Sequence, residues 1–141
     1  MQHPYSNYGP TIIRIALGVI FLAHSAYLKV FVFTVGGTVG FFESLGLPGV
    51  LAYAVLIAET VGGIMLILGL RVREAALILS AVSLGATWAH SGAGWLFTNT
   101  GGGWEYPLFL AIASFSVALM GPGALSIDEN ASLKAKMREA H

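Results

Sequence analysis

The chain has 141 residues, 56% of them hydrophobic and only 10% charged, with a formal net charge of zero and a mean hydropathy of +0.78. A soluble domain carries about 25% charged residues, so this composition excludes a water-covered globule and points to an integral membrane protein. The seven cations are too thinly spread for a nucleic-acid interface. The lack of cysteine excludes disulfides, thiol redox chemistry and Cys-ligated clusters, so any redox step needs a bound cofactor or a partner chain.

Four stretches nearly free of charge, at about 11–33, 50–70, 74–93 and 105–121, each match the roughly 20 residues that cross ~30 Å of hydrocarbon. The first has small residues around Ala23 and Ala26 after an apolar core, as a cleavable signal does; it is read as a retained span. Between the first and second spans, "TVGGTVGFFESLGLPGV" reads as a glycine-rich connection with a short interfacial turn or half-helix at Phe41–Leu47. Between the third and fourth, "SGAGWLFTNTGGGWE" reads as a flexible loop whose Trp95 and Trp104 suit a membrane–water boundary. The fourth ends at "GPGALSID", where Pro122 removes a donor and Gly123 permits a turn. The expected fold is all-α: one membrane domain over 1–141, a four-helix bundle with a tail from about 126.

Orientation follows from the cations. Arg14 opens the first span, Arg71 and Arg73 join the second to the third, and Lys134, Lys136 and Arg138 follow the fourth. With four spans all lie on one side, which the positive-inside rule makes cytoplasmic, together with both termini. The expected location is a bacterial or archaeal cytoplasmic membrane.

The remaining ionisable groups fall in the outer half. At ~1.5 Å per residue, His24 lies ~20 Å above the inner end of the first span and Glu59 ~14 Å below the outer end of the second, so the two are expected to pair. Lys29 sits further out, His90 comes late in the third span and Glu105 opens the fourth. Every span thus contributes an ionisable group to one level, and intramembrane ionisable groups mark function by default. Ser80, Ser83, Thr87 and His90 share one helical face, which should look inward. Ala54, Ala58 and Gly62, and likewise Ala81, Gly85 and Ala89, recur every four residues as seams for close packing.

Such a pocket suits a quinone, whose carbonyls need hydrogen-bond donors and whose reduction needs protons, with Tyr27 and Trp88 as flat surfaces nearby. The candidate ligand-binding and proton-handling residues are His24, Lys29, Glu59, His90 and Glu105, with Tyr27, Ser83, Thr87 and Trp88 behind them. Plainer roles stand beside these: Lys29 snorkelling to the interface, Glu105 serving the dipole of its helix, and His90 capping the polar stripe. Haem b held by His24 and His90 is the less favoured cofactor. A metal on His24, Glu59, His90 and Glu105 has no motif behind it, and no metal is expected.

The order "RIALGVIFLAHSAYLKVF", "GLPGVLAYAVLIAETVGGIMLILGLRVREAA", His90, "GGGWEYPL" and "GPGALSID" resembles the DoxX family of small four-helix membrane proteins, over about residues 11–128. Its H-G-x-x-K-like element is represented by His24 and Lys29, with Ser25 in the glycine position and one extra residue of spacing. Its E-x-x-G-G element matches Glu59, Gly62 and Gly63; its late histidine matches His90, and its acid before the last helix matches Glu105. Its G-P-G-x-x-S-x-D ending matches Gly121, Pro122, Gly123, Ser126 and Asp128. The resemblance implies a subunit of a membrane redox assembly, as in the thiosulfate:quinone oxidoreductase through which the family is named. Three functions are therefore carried forward: a quinone-binding subunit of an oxidoreductase, a non-catalytic subunit stabilising larger membrane or redox partners or a homo-oligomer, and a proton or small-ion pathway.

Overall fold

The computed structural model describes residues 5–129; Lys134, Lys136 and Arg138 lie outside them. Among the described residues every regular element is helical: α1 (Tyr8–Leu22), a π-helix (Ala23–Val32), α2 (Val35–Ser44), α3 (Val50–Leu68), α4 (Val72–Ala89), a 3-10 turn (Ser91–Ala93) and α5 (Glu105–Met120). Tyr8–Val32, Val50–Leu68 and Val72–Ala89 are long and apolar enough to cross a membrane, and α5 is a shorter apolar helix of 16 residues. In the order of packing, α1 lies on α3, α3 on α4, α4 on α5, and α5 returns to α1. Leu17, Phe21, Leu66, Val72, Leu79, Leu110 and Val117 fill the space between them.

Glycine sets the closest crossing. A methyl group at Gly18 would sit 2.7 Å from the Gly63 carbonyl oxygen, and one at Gly63 would sit 2.9 Å from the Gly18 oxygen. The backbones of α1 and α3 therefore touch, the arrangement by which membrane helices gain van der Waals contact without a hydrophobic driving force. The expected seams differ from this. Gly62 does pack on Leu79, but Ala54, Ala81 and Gly85 are exposed and Gly85 faces open space. Helix phase turns that side of α4 outward, because Ser80, Ser83 and Leu79 occupy the inward one.

Arg14 is not an interfacial cation. It is fully buried, and its guanidinium donates to Leu66 O (2.6 Å), Ile67 O (2.8 Å), Pro122 O (2.7 Å), Leu125 O (2.8 Å) and Ala124 O (3.2 Å). Leu66 and Ile67 belong to the last turn of α3, whose carbonyls lack intrahelical partners and carry the negative end of the helix dipole. Gly69, at φ +68°, caps α3 so closely that an added methyl would lie 3.0 Å from the Arg14 Cζ. Thr11 donates to Ala124 O at 2.7 Å. Asp128 then accepts from the Arg71 and Val72 amides at 3.0 and 3.2 Å, capping α4 from 56 residues away. This cap is why α4 begins two residues earlier than expected.

The other end also departs from expectation. The connection after the first span holds the ten-residue helix α2, started by Thr34, whose side chain accepts from Gly37 N at 3.1 Å. α2 packs against the π-helix and α3. Glycines at 36, 37 and 40 lower helix propensity, so packing rather than propensity holds it.

Lysine has three donors at one point where arginine has five in a planar fork. Arg14→Lys is therefore expected to strand at least two carbonyls and destabilise the protein by about 3 kcal/mol, at 1.5–3 for each hydrogen bond to a charged group. Unfolding followed by SDS titration in mixed micelles checks this; an unchanged midpoint contradicts it.

Candidate functional site

The second half of the first span winds as a π-helix for ten residues, AHSAYLKVFV, where such helices mostly last one turn and often sit at functional sites. In its i→i+5 ladder, continued by Phe33 N on Leu28 O at 2.7 Å, residues five apart lie nearly one above the other. An α-helix would set His24 and Lys29 about 140° apart. The π winding turns both toward neighbouring helices.

Lys29 pairs with Glu59, with side-chain exposures of 21% and 8%. Glu59 stands at the tenth of the 19 residues of α3, about 14 Å from either end. The pairing corrects the expectation that His24 would partner Glu59 and that Lys29 would stay near the surface. Side chains lean toward the N-terminus of their own helix, so Lys29 leans inward and Glu59, on the opposed α3, leans outward. Each charge would be expensive alone in hydrocarbon; together they satisfy one another.

His24 Nδ1 lies 2.9 Å from Ile20 O. A carbonyl only accepts, so Nδ1 is the donor in this contact. The ring stacks on Tyr106 of α5, centroids 5.8 Å apart. Tyr106 also lines a groove of about 470 Å³ on the outer side of α5, with Trp95, Phe97, Glu105, Leu108, Phe109 and Ile112. Glu105 accepts from Phe97 N at 2.9 Å, and Trp95 meets Trp104 edge-on at 4.5 Å. These contacts fold the loop of residues 91–104 over the start of α5. Tyr106 is a polar handle in apolar surroundings, and the sequence pointed to it only through its place in "GGGWEYPL".

His90 ends α4, with Nδ1 2.9 Å from Gly101 O and its ring stacked on Phe41 of α2. The polar face of α4 does look inward: Ser80 donates to Ala111 O at 2.9 Å and Ser83 is buried, while Thr87 returns its hydroxyl to Ser83 O. Ser114 of α5 is fully buried, its hydroxyl without a partner among the described residues. Tyr27 and Trp88 are exposed, at 63% and 57%, on the outside of the molecule. They do not join the site, because the π winding carries Tyr27 outward and Trp88 lies off the serine face. Among the described residues, no contact links Lys29–Glu59, His24–Tyr106 and His90–Phe41 into one ring, and no three His, Asp or Glu side chains lie together as a metal would require. The five candidates thus form three separate polar stations, with Glu105 and Tyr106 meeting at the groove.

The structure is that of an all-helical integral membrane protein with an ion pair at mid-span. The DoxX family model matches residues 9–92, and the chain belongs to that family. It is 30% identical over 120 residues, 85% of this chain and 84% of the relative, to "Putative oxidoreductase CatD" of Bacillus subtilis (strain 168). No solved structure matches.

Removing one partner of a buried ion pair costs about 3–5 kcal/mol, whereas replacing both with apolar groups is often neutral. Lys29→Met and Glu59→Leu are each expected to lower the unfolding midpoint, and the double variant to regain most of the loss. Additive losses in the same SDS titration contradict a paired role.

Proposed function

We propose that the protein is a quinone-binding subunit of a membrane redox assembly in a bacterial or archaeal cytoplasmic membrane. The observation that carries this reading is the double role of Tyr106, which lines a groove open toward the lipid and stacks on His24. A lipid-dissolved quinone would lay its tail along Leu108, Phe109 and Ile112 and bring its ring to Tyr106, where the phenol O–H donates to a carbonyl. His24, stacked on the Tyr106 ring, would handle the proton. Electrons would come from a partner, since the chain has no cysteine. The name of the Bacillus relative supports redox chemistry in general terms. In the test, quinone added to the purified protein in nanodiscs should quench the fluorescence of Trp95, which lines the same groove. Tyr106→Leu should weaken binding about 3- to 10-fold, the equivalent of one aromatic contact. Quenching that is absent, or equal in the two proteins, overturns the reading; a Soret band in the purified protein would replace quinone by haem b on His24 and His90.

A second reading is an accessory subunit that packs against a larger partner, favoured by the outward face of Ala81 and Gly85 on α4, where a helix can approach closely. Either reading places the Arg14 end, with exposed Arg71 and Arg73, on the cytoplasmic side. Cysteines introduced at Arg73 and at Thr98 should react with an impermeant maleimide from opposite faces of oriented vesicles, Thr98 from outside; the reverse result inverts the topology.

A further inference from the structure

We infer that residues 23–34 form a two-state element held in its π winding by the Lys29–Glu59 pair, and that release of the pair returns the segment to α winding, turns Lys29 out of the interior and moves α2. The element shares His24 with the groove at α5 but is tested without any ligand there.

π winding accounts for well under 1% of residues in proteins, so ten consecutive residues must be held by what lies around them. Three contacts depend on the winding. Lys29 reaches Glu59, His24 reaches Tyr106, and the Lys29 carbonyl accepts from Thr38 Oγ1 of α2 at 3.2 Å. The ion pair is the strongest, being charged and nearly excluded from water. In α winding the backbone would keep one hydrogen bond per residue, so the ladder itself does not oppose the change. With His24 kept inward, Lys29 would then point about 140° away. It would leave Glu59 and could extend along apolar surface toward the headgroups.

The joint beyond the segment is strained. Thr34 has φ 63° and ψ 157°, a region essentially reserved for glycine, and such outliers gather at switch regions. It is a residue with a branched side chain, and it is held there from both sides. Its hydroxyl accepts from Gly37 N, and its carbonyl accepts from Thr38 Oγ1 at 2.9 Å. Thr34 therefore absorbs the mismatch between the underwound π segment and α2. At its other end α2 is followed by Gly46, at φ +76°. The helix meets the π segment and α3, with Thr38 as its one buried residue, and stacks Phe41 on His90. A change of winding upstream is thus transmitted to α2 through the Thr34 joint and through the Thr38 hydroxyl on the Lys29 carbonyl.

The experiment places spin labels at Gly40→Cys on α2 and Leu84→Cys on α4, both exposed positions in a chain without native cysteine, and reads their distance in nanodiscs. One narrow population is expected with Glu59 and Lys29 intact, and again with Lys29→Arg, which keeps the pair. Glu59→Gln should add a second, resolved population, as should Lys29→Met/Glu59→Leu, which strands no charge and so remains folded if Glu59→Gln does not. Adding Thr34→Gly to either should shrink the second population, since glycine relieves strain stored only in the π state; simple loss of packing would not respond in this direction. In parallel, the Lys29 amine should react faster with a water-soluble acylating reagent in Glu59→Gln than in the parent. A single unchanged distance in both variants lacking the pair, or a second population that Thr34→Gly does not reduce, overturns the inference.

Discussion

Five carbonyl oxygens around one buried guanidinium hold one end of this protein together. Arg14 reaches from α1 to the last turn of α3 and to the segment after α5, and so joins three parts of the chain that no covalent connection brings together. The carbonyls need donors because they terminate helices inside an apolar environment. The charge needs them because no carboxylate is within hydrogen-bonding contact among the described residues. Each side solves the other's problem. Asp128 extends the clasp by capping α4, so the positions of all four packed helices at this end refer back to Arg14.

The opposite end is organised by winding rather than by a clasp. A span of 25 residues begins as α-helix and continues as π-helix, and this change of pitch decides which side chains look inward. Lys29 meets Glu59 at mid-span and His24 meets Tyr106. The two ends therefore differ in kind: one is tied by many hydrogen bonds to fixed carbonyls, the other by one ion pair, a few ring contacts and a short helix over a strained joint. Stability is expected to concentrate where hydrogen bonds are many and buried, and change to occur where they are few.

Function in the DoxX family has to be drawn from this uneven architecture. Lys29 and Glu59 pair at mid-span, where charges are screened less than on an exposed surface, while Tyr106 lines an aromatic groove and stacks on His24.

Much of this was legible in the chain itself. Composition and four stretches nearly free of charge pointed to an all-helical membrane protein, and three helices are long and apolar enough to cross a membrane while the fourth, α5, is shorter, because hydropathy and length are local properties that the bilayer reads directly. The inward polar face of α4 was legible too, since helical periodicity is local. The identities of Lys29, Glu59 and His24 as interior ionisable groups were plain, but their partners were not. An α-helical count assigns Glu59 to His24, and only a π ladder, stabilised by contacts thirty residues apart, assigns it to Lys29. Arg14 read as one more cytoplasmic cation for the same reason: nothing near it in sequence shows the carbonyls of Leu66 or Pro122 that surround it. Periodicity determined which faces exist; tertiary packing decided which of them meet, because hydrogen bonds and ion pairs in hydrocarbon form between whatever groups the helix phases bring together.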